Sequence, residues 1–560
     1  LSKTLTGGNY LKNKLKVIFL GGVGEIGKNM TVLEYGSDII VVDAGMSFPT
    51  GDLPGIDYVL PDMTYLVENK NKVRAIFLTH GHGDHIGALA YLLKDIKAPV
   101  YGTKLTLMLA DNKLREQKIN DAELNVIQPR YSVKAGCFSV EFINVCHSIA
   151  GSVALAISTP VGTVVITGDY KIDYTPIAGE TMDLHRFAEL GKRGVLLLLA
   201  DSTNIEREGY TMSERTVGET FDELFAKNAE RRIIVATFAS NVHRIQQILD
   251  VSKRYNRKVA FSGRSMLNVI EAATKLGELK YDKKMIADIE KIGNIPDKNL
   301  TIISTGSQGE PLSVLTRMAA GSFNKVNIGP NDTIIISASP IPGNERMIYS
   351  VINNLYKRGA EVVYSMLERV HVSGHACREE AKLIHSLLKP RFFVPVHGEY
   401  RHLIKHKNLA ISLGQKEHTI IIPEIGGIIK LDGKSIRKAG IVPSGSLLVD
   451  GLGIEDLDSV VLRDRKRIAE DGIIVMVIGI NEESGQVTVG PEIISRGFMS
   501  KEPETFNNSI RQVVLTTLSG LELKTCPRSE IQAAIRKDLR NFIFKKTKAS
   551  PMILPFIIQQ

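Results

Sequence analysis

An α/β architecture of several domains is what this sequence predicts, and three observations lead to it. In the first part of the chain, short apolar strands recur and end on a histidine or an aspartate, as in Phe138–His147 and Gly162–Asp169. From about residue 211, short apolar strands alternate with helical segments, the pattern of a parallel sheet. The tail combines a hairpin with two amphipathic helices. At 560 residues and 43% hydrophobic content, the chain has material for roughly three or four globular cores.

Composition narrows the class. The four cysteines at 137, 146, 377 and 526 are widely spaced and form no C-x-x-C, which suits a reducing cytoplasm and argues against a disulfide framework. No apolar run approaches the length of a membrane span, and the first twenty residues carry no signal-peptide pattern. A net charge of +9 permits an anionic partner without requiring one.

Taken in order, Lys16–Leu20 is a strand leading into Gly22-Val-Gly-Glu-Ile-Gly27, which matches a dinucleotide fingerprint. A helix must follow such glycines, yet here Met30–Tyr35 and Asp38–Asp43 read as a hairpin. The glycines are therefore expected to shape a loop, with Asp43 closing a neighbouring strand. Next, Val73–Leu78 reads as a strand and Ile86–Leu93 as a helix. Between them stands Thr79-His80-Gly81-His82-Gly83-Asp84-His85, three histidines and an aspartate on one tight loop. Imidazole and carboxylate are the donors that zinc and similar ions take in hydrolytic sites. The two glycines leave the backbone room for the side chains to converge.

Downstream, His147, Asp169 and Asp201 each close a strand. Singly, each is an ordinary loop residue. After a metal-binding loop, His147 and Asp169 are candidate ligands. Helices near 217–230, 241–256 and 264–277 alternate with strands at 232–238, 258–263, 300–306, 332–338 and 361–365. The segment His371-Val-Ser-Gly-His375 precedes a helix, and Pro390–His397 is one more strand ending on a histidine. The last helix aligns Ile531, Ile535, Leu539, Phe542 and Ile543 on one face.

The set His80-x-His82-x-Asp84-His85, His147, Asp169 and His397 resembles the metallo-β-lactamase superfamily. The inserted α/β domain, framed by Asp201-Ser-Thr, His375 and His397, resembles its β-CASP subgroup of nucleic-acid hydrolases. Thr237–Arg244, Ser262–Met266, Ser304–Pro311, His371–His375 and Pro395–Arg401 are similar, within that subgroup, to the ribonuclease J family. The resemblance spans essentially the whole chain. It implies an αββα sandwich with an inserted β-CASP domain and a small C-terminal α+β domain. The expected limits are 1–210 and 369–451 for the sandwich, 211–368 for the insertion, 452–460 for a linker and 461–560 for the last domain. One departure stands out: Ala150-Gly151 follows His147-Ser-Ile where the family often has Pro-Asp.

The resemblance also implies roles. His80, His82 and His147 would hold one metal, Asp84, His85 and His397 a second, and Asp169 would bridge them. The expected ions are two Zn2+, with Mn2+ or Mg2+ as alternatives in turnover. Two ions at such a spacing stabilise both ends of an in-line displacement at phosphorus and activate a hydroxide. Asp84 would orient or deprotonate that nucleophile. His375 would be the general acid, with Asp201 orienting its ring, although Asp201 also reads as a turn or N-cap residue. His371, Val372, Ser373, Gly374 and His375 would form a substrate-phosphate loop. Ser240, His243, Arg264 and Ser265 would form a pocket for a 5′ phosphate. Ser240 and His243 read equally well as residues that cap or pack a helix.

The function so implied is a metal-dependent ribonuclease with 5′-to-3′ exonuclease and endonuclease activity, acting in mRNA decay and rRNA maturation. Its implied partners are RNA, preferably with a 5′ monophosphate, and copies of itself in a homodimer or homotetramer. A paralogue or other RNA-degradation proteins are further candidates, and no membrane is involved. The alternatives are a weakly active RNA-binding scaffold and a small-ester or thioester hydrolase on the same sandwich. The basic runs Arg463–Arg467 and Lys545–Lys548 read first as solvated surface. His185, His385, His402, His406 and His418 read as structural or surface residues, and Cys146 as a buried small residue.

Overall fold

The computed structural model describes residues 14–49, 53–308, 313–340, 344–451, 453–455, 459–481, 483–498 and 503–559. The first residues of the chain, part of the expected linker, and Gly309–Pro311 of one resemblance segment lie outside them. The chain forms two compact units, Leu1–Ser47 with Val59–Ser446, and Phe48–Tyr58 with Leu447–Gln560.

The larger unit contains two sheets that face each other. One has eight strands in the order Ile436–Ile441, Gly427–Leu431, Leu15–Gly21, Met30–Tyr35, Asp38–Val42, Val73–Phe77, Val100–Gly102, Leu124–Val126. The other has six, in the order Phe392–Val396, Leu197–Asp201, Gly162–Ile166, Val153–Thr159, Phe138–Asn144, Ser132–Ala135. Side chains alternate across a strand, so each sheet has two faces. Leu15, Val17, Phe19, Leu33, Ile40 and Phe77 from the first sheet share a core with Phe138, Val140, Phe142, Leu155, Leu197 and Leu199 from the second. The Phe77 and Phe142 rings meet across the layers at 5.9 Å. Burying each such side chain contributes about 1.5–3 kcal/mol. The outer face of the second sheet, including Ala154, Val165, Leu198 and Phe393, packs on Phe187 and Leu190 of helix Leu184–Arg193 and Ile384 and Leu388 of helix Arg378–Leu388. The result is an αββα sandwich.

Strand register places the polar strand ends side by side. Asp201 pairs with Val396 in a parallel ladder, which sets His397 beside the end of the neighbouring strand. Val42 pairs with Phe77, which sets Asp43 beside the start of the histidine loop.

The stretch 211–368 carries the expected parallel sheet, in the order Ile286–Ala287, Lys258–Ser262, Leu300–Ser304, Arg232–Thr237, Asp332–Ser337, Glu361–Tyr364. Its strands are buried along their length, as a sheet covered on both faces requires.

Three local expectations are revised. The helix after the histidine loop is broken into Gly83–Ile86 and Leu89–Asp95. There the Ala88 N–H leaves the helix to donate to Ala44 O (2.7 Å), and a Cβ at Gly87 would lie 2.3 Å from Met46 Cγ. The apolar face Ile531, Ile535, Leu539 and Ile543 is covered by packing within its own unit, one of the two uses such a face has, the other being assembly. It packs on a three-stranded sheet, Val487–Arg496, Ile473–Ile480 and Met552–Gln559, whose last strand runs parallel to its neighbour and was not anticipated. Cys146 is only partly buried, with Sγ 3.9 Å from Asp173 O. Among the described residues no helix is long and apolar enough to cross a membrane.

Candidate metal centre

The seven candidate ligands converge where the strand ends meet. His80, His82, His147 and Asp169 form one nest of donor atoms, and Asp84, His85, Asp169 and His397 form a second, each within 4.8 Å. Asp169 belongs to both. Its Oδ2 lies 3.6 Å from His80 Nε2, 3.6 Å from His147 Nε2 and 3.3 Å from His85 Nε2. Its Oδ1 lies 3.7 Å from His397 Nε2. Asp84 Oδ2 lies 3.3 Å from His397 Nε2 and 3.7 Å from His85 Nε2.

The outer nitrogens of these rings are held by fixed partners, and this decides where the inner lone pairs point. His147 Nδ1–H donates to Gly374 O (2.7 Å). His85 Nδ1–H donates to Asp43 Oδ2 (2.8 Å). Thr79 Oγ1 donates to Asp43 Oδ2 (2.9 Å) and so accepts from His80 Nδ1 (3.1 Å). Thr203 Oγ1 donates to Asp201 Oδ1 (2.7 Å) and accepts from His397 Nδ1 (2.6 Å). With these rings neutral, as ligands must be, each presents an unprotonated Nε2 inward. In the first nest His80 Nε2 and His147 Nε2 each come within 3.1 Å of His82 Nδ1. A single hydrogen on His82 Nδ1 can point at only one of these two nitrogens, whereas one cation serves all three. The buried Asp169 Oδ1 has no hydrogen-bond partner. A divalent metal fits this donor set.

Electrostatics agree. Burial, with the neighbouring His85, drives His80 well below the ordinary histidine range. Burial likewise lowers His147, and pushes His82 down to about 4. In the second nest burial opposes charge, but Asp169, Asp84 and Asp43 hold His85 well above its usual value, and Asp169, Asp201 and Asp84 do the same for His397. Asp84 and Asp169 stay ionised despite burial because the histidines surround them. The centre therefore demands positive charge, as protons or as metal.

Beside it, His375 Nδ1 lies 2.8 Å from Asp201 Oδ2. Burial lowers the ring's basicity, but the charges of Asp201 and Asp169 outweigh it and raise it above the ordinary range. Asp201 is no helix N-cap here. It closes strand Leu197–Asp201 and accepts from the Thr203 N–H (2.9 Å). Asn204 Nδ2 donates to Ser373 Oγ (2.7 Å) and His375 O (3.0 Å), which ties the loop His371–His375 to the same strand end. Val372 is buried, and a Cβ at Gly374 would lie 2.6 Å from His147 Cε1, so only glycine fits.

Ser240, His243, Arg264 and Ser265 lie at the carboxyl edge of the parallel sheet, each after a strand end. Arg264 and Ser265 are exposed, Ser240 and His243 half-buried. Ser240 is not the cap: Asn241 accepts from the Arg244 N–H (3.1 Å).

Several residues escaped the sequence reading. Asp43 was seen only as a strand end, and it anchors both Thr79 and His85. Asn29 comes from the glycine loop, with Nδ2 3.1 Å from His85 Nε2. That loop also accepts the His397 N–H at Gly22 O (2.8 Å), so it frames the metal centre and not a nucleotide. Gly151, at the departure after His147, sits at φ 75° and its carbonyl accepts from Thr103 Oγ1 (2.7 Å). His385 and His406 are buried and paired, Nε2 to Nε2 at 3.1 Å.

An αββα sandwich with paired donor nests at its strand ends and a parallel-sheet insertion is the build of a metallo-hydrolase of the metallo-β-lactamase superfamily with a β-CASP domain. Family models agree: Metallo-beta-lactamase superfamily over residues 23–195, Ribonuclease J beta-CASP domain over 230–355, Zn-dependent metallo-hydrolase RNA specificity domain over 359–423, and Ribonuclease J C-terminal domain over 460–560. Ribonuclease J2 of Bacillus subtilis (strain 168) is 41% identical over 97% of this chain and 98% of its own length. Ribonuclease J of Thermus thermophilus is 41% identical over 98% and 96%, and that of Synechocystis 42% over 98% and 87%. A solved structure of a protein of unknown function from Enterococcus faecalis V583 shares the fold, with a TM-score of 0.53 and 19% identity over 75% of this chain and 100% of that one. The chain belongs to the ribonuclease J family, the metal-dependent ribonucleases of this superfamily.

Proposed function

We propose that this ribonuclease cleaves RNA at a two-zinc centre, both from 5′ ends and internally, as a cytoplasmic homodimer or homotetramer acting in mRNA decay and rRNA maturation. The observation that carries the reading is the buried Asp169 shared by two donor nests, with the His375–Asp201 pair beside it. His80, His82 and His147 would hold one ion, Asp84, His85 and His397 the other, and Asp169 would bridge them. Zinc is favoured because imidazole dominates the donor set. Once bound, such a pair of ions supplies charge stabilisation at phosphorus and lowers the pKa of water.

The remaining work falls to side chains. Asp84, ionised and 30% exposed at the side chain, accepts a hydrogen bond from the attacking water and orients it. His375 holds Nδ1–H against Asp201 and carries a second proton on Nε2, which passes to the leaving 3′ oxygen. Asp201 stabilises the charged ring before transfer and keeps its orientation afterwards. The loop His371–His375 receives a substrate phosphate on Ser373 Oγ, the His371 ring and its backbone N–H groups. Ser240, His243, Arg264 and Ser265 receive a 5′ monophosphate. The working division is 1–210 with 369–451 for the hydrolase domain, 211–368 for the insertion, 452–460 for a linker and 461–560 for the last domain.

The test uses one RNA with 5′ monophosphate, triphosphate or hydroxyl, labelled internally and at the 5′ end. Mononucleotide release favoured by the monophosphate, and stopped by chelator and by His375→Ala, is expected. Chelator-sensitive internal cuts indifferent to the 5′ group would remove the 5′ pocket. Cleavage unaffected by His375→Ala would remove the general acid.

A further inference from the structure

Arg244 has no exposed surface, and it heads the large side chains that are fully buried among the described residues. It stands in helix Val242–Arg254 of the inserted domain. Its Nε and Nη2 donate to Glu214 Oε1 (2.6 Å) and Oε2 (2.7 Å), a two-pronged pair. Its Nη1 donates to Ser337 O (3.0 Å), to Ser337 Oγ (3.2 Å) and to His371 Nδ1 (2.9 Å). Glu214 is itself held, its N–H by Asp173 Oδ2 (3.1 Å) and its carbonyl by Gln247 Nε2 (3.0 Å). Ser337 Oγ donates to Val370 O (2.6 Å), the residue before the loop. The guanidinium is therefore fixed on every side, and its free prong points at a histidine.

That contact decides a proton position. A guanidinium has five N–H donors, no acceptor, and keeps its charge at any physiological pH. A histidine nitrogen 2.9 Å from it pairs with it only as a lone pair. That pairing puts the ring proton on Nε2; the competing arrangement, Nδ1–H donating to the Ser337 carbonyl, leaves Nη1 to Ser337 alone and sets N–H beside N–H. Turning the ring over would set Cδ2–H against the guanidinium and leave it without this acceptor. Packing alone does not explain such a group, since well-packed apolar side chains fill a core as well as a buried ion pair does.

We propose that Arg244 is a positioning residue for the phosphate loop, holding the His371 ring with its proton on Nε2 as a standing donor to a phosphate oxygen of the RNA. The functional half rests on the reading of His371–His375 as that loop; the proton position does not. Burial first, and then the charge of Arg244, also keep His371 well below the ordinary histidine range, so the ring stays neutral. Neutral, and with Nδ1 occupied, His371 donates without taking part in proton transfer, which leaves that task to His375. Through Glu214, Arg244 and Ser337, the inserted domain thus sets the start of a loop whose far end is His375.

Histidine-selective 15N labelling of the full chain reads the proton position directly, with His371→Asn identifying the resonance. An unprotonated Nδ1 and a protonated Nε2 are expected through the neutral pH range, and a protonated Nδ1 would overturn the proposal. A double-mutant cycle reads the function. Arg244→Lys keeps a charge but loses the fork. It should cut kcat/KM on RNA by about ten- to a hundredfold, the worth of one charged hydrogen bond. In a His371→Ala background the same change should cost less than about threefold, because the partner is gone. Equal activity losses in both backgrounds would reduce Arg244 to a structural role and refute the proposal. If Arg244→Lys does not fold, Glu214→Gln takes its place, since it loosens the same fork and leaves Arg244 in position. Full activity in His371→Ala would overturn the phosphate-loop reading and the functional half with it, while the labelled spectrum still decides the proton position.

Discussion

Replacing Asp43 by Asn should weaken one half of the metal centre and spare the other. Asp43 sits at φ 63°, a conformation asparagine also accepts, so the backbone survives the change. Its Oδ1 accepts from the Thr79 N–H (2.7 Å), and an amide oxygen serves there equally well. Its Oδ2 accepts from Thr79 Oγ1 (2.9 Å) and from His85 Nδ1 (2.8 Å). An amide NH2 in that place faces two donors. The relief is for His85 to accept at Nδ1 and move its proton to Nε2, the nitrogen aimed at Asp84 and Asp169. A protonated nitrogen cannot ligate. The lost bond to a charged group is worth about 1.5–3 kcal/mol, which agrees with the roughly 10–100-fold loss of affinity seen when the outer partner of a ligating histidine is removed. Metal-free protein titrated with zinc against a chromophoric chelator, with bound ions counted by mass spectrometry, provides the assay. The wild type should hold two ions per chain. The variant should hold one as tightly as before and the second about 10–100-fold more weakly, with an unchanged circular dichroism spectrum. Two ions at wild-type affinity would show that Asp43 does not govern the metallation of His85.

Two further predictions concern stability. Burial lowers His385 to about 4 in the folded protein, below its unfolded value, so the unfolded chain takes up a proton that the folded chain refuses. Stability should be unaffected by this group above pH 6.5 and should fall by up to about 3 kcal/mol as the pH drops from there toward 4. His385→Gln keeps a hydrogen-bonding side chain near His406 and should make the acid limb of a plot of melting temperature against pH shallower; an unchanged limb would place the proton uptake elsewhere. Gly45→Ala would set a Cβ 1.6 Å from Asp84 O and 2.7 Å from Asn29 N, backbone atoms that cannot give way. Displacement of the loop carrying Asp84 and His85 should lower both the melting temperature and the zinc content, and retention of both would show that the loop has slack.

Much of the centre was legible because its donors follow local rules. His80, His82, Asp84 and His85 crowd one short loop, and a ligand pattern that dense survives without knowledge of the fold. His147, Asp169, Asp201 and His397 follow apolar strands that run the same way in one sheet, so their carboxyl ends share an edge, while Val153–Thr159 between them runs opposite. The alternation of short strands and helices from 211 onward likewise reports a parallel sheet without naming its strand order. The dinucleotide-like glycines could be set aside because the segment after them alternates as a strand does, and in the structure they lead into strand Met30–Tyr35.

What only the tertiary structure decided are the contacts between polar groups far apart in the chain. Asp43 meets His85, Asp84 meets His397, and Arg244 meets His371, across separations of 42, 313 and 127 residues. No local propensity marks these pairs. A carboxylate at a strand end looks the same whether it faces water or holds a ligand's ring. The final strand Met552–Gln559 was invisible for a related reason: its apolar residues have a strand's character only beside Ile473–Ile480, a parallel partner far back in the chain. The last helix shows the converse, since its apolar stripe was plain in the sequence but not what would cover it. Sequence by itself determined which side chains have the chemistry and which elements carry them, because both are set by neighbours along the chain. The tertiary structure decided which partner holds the outer nitrogen of His80, His85, His147 and His397, because packing brings that partner from elsewhere in the chain.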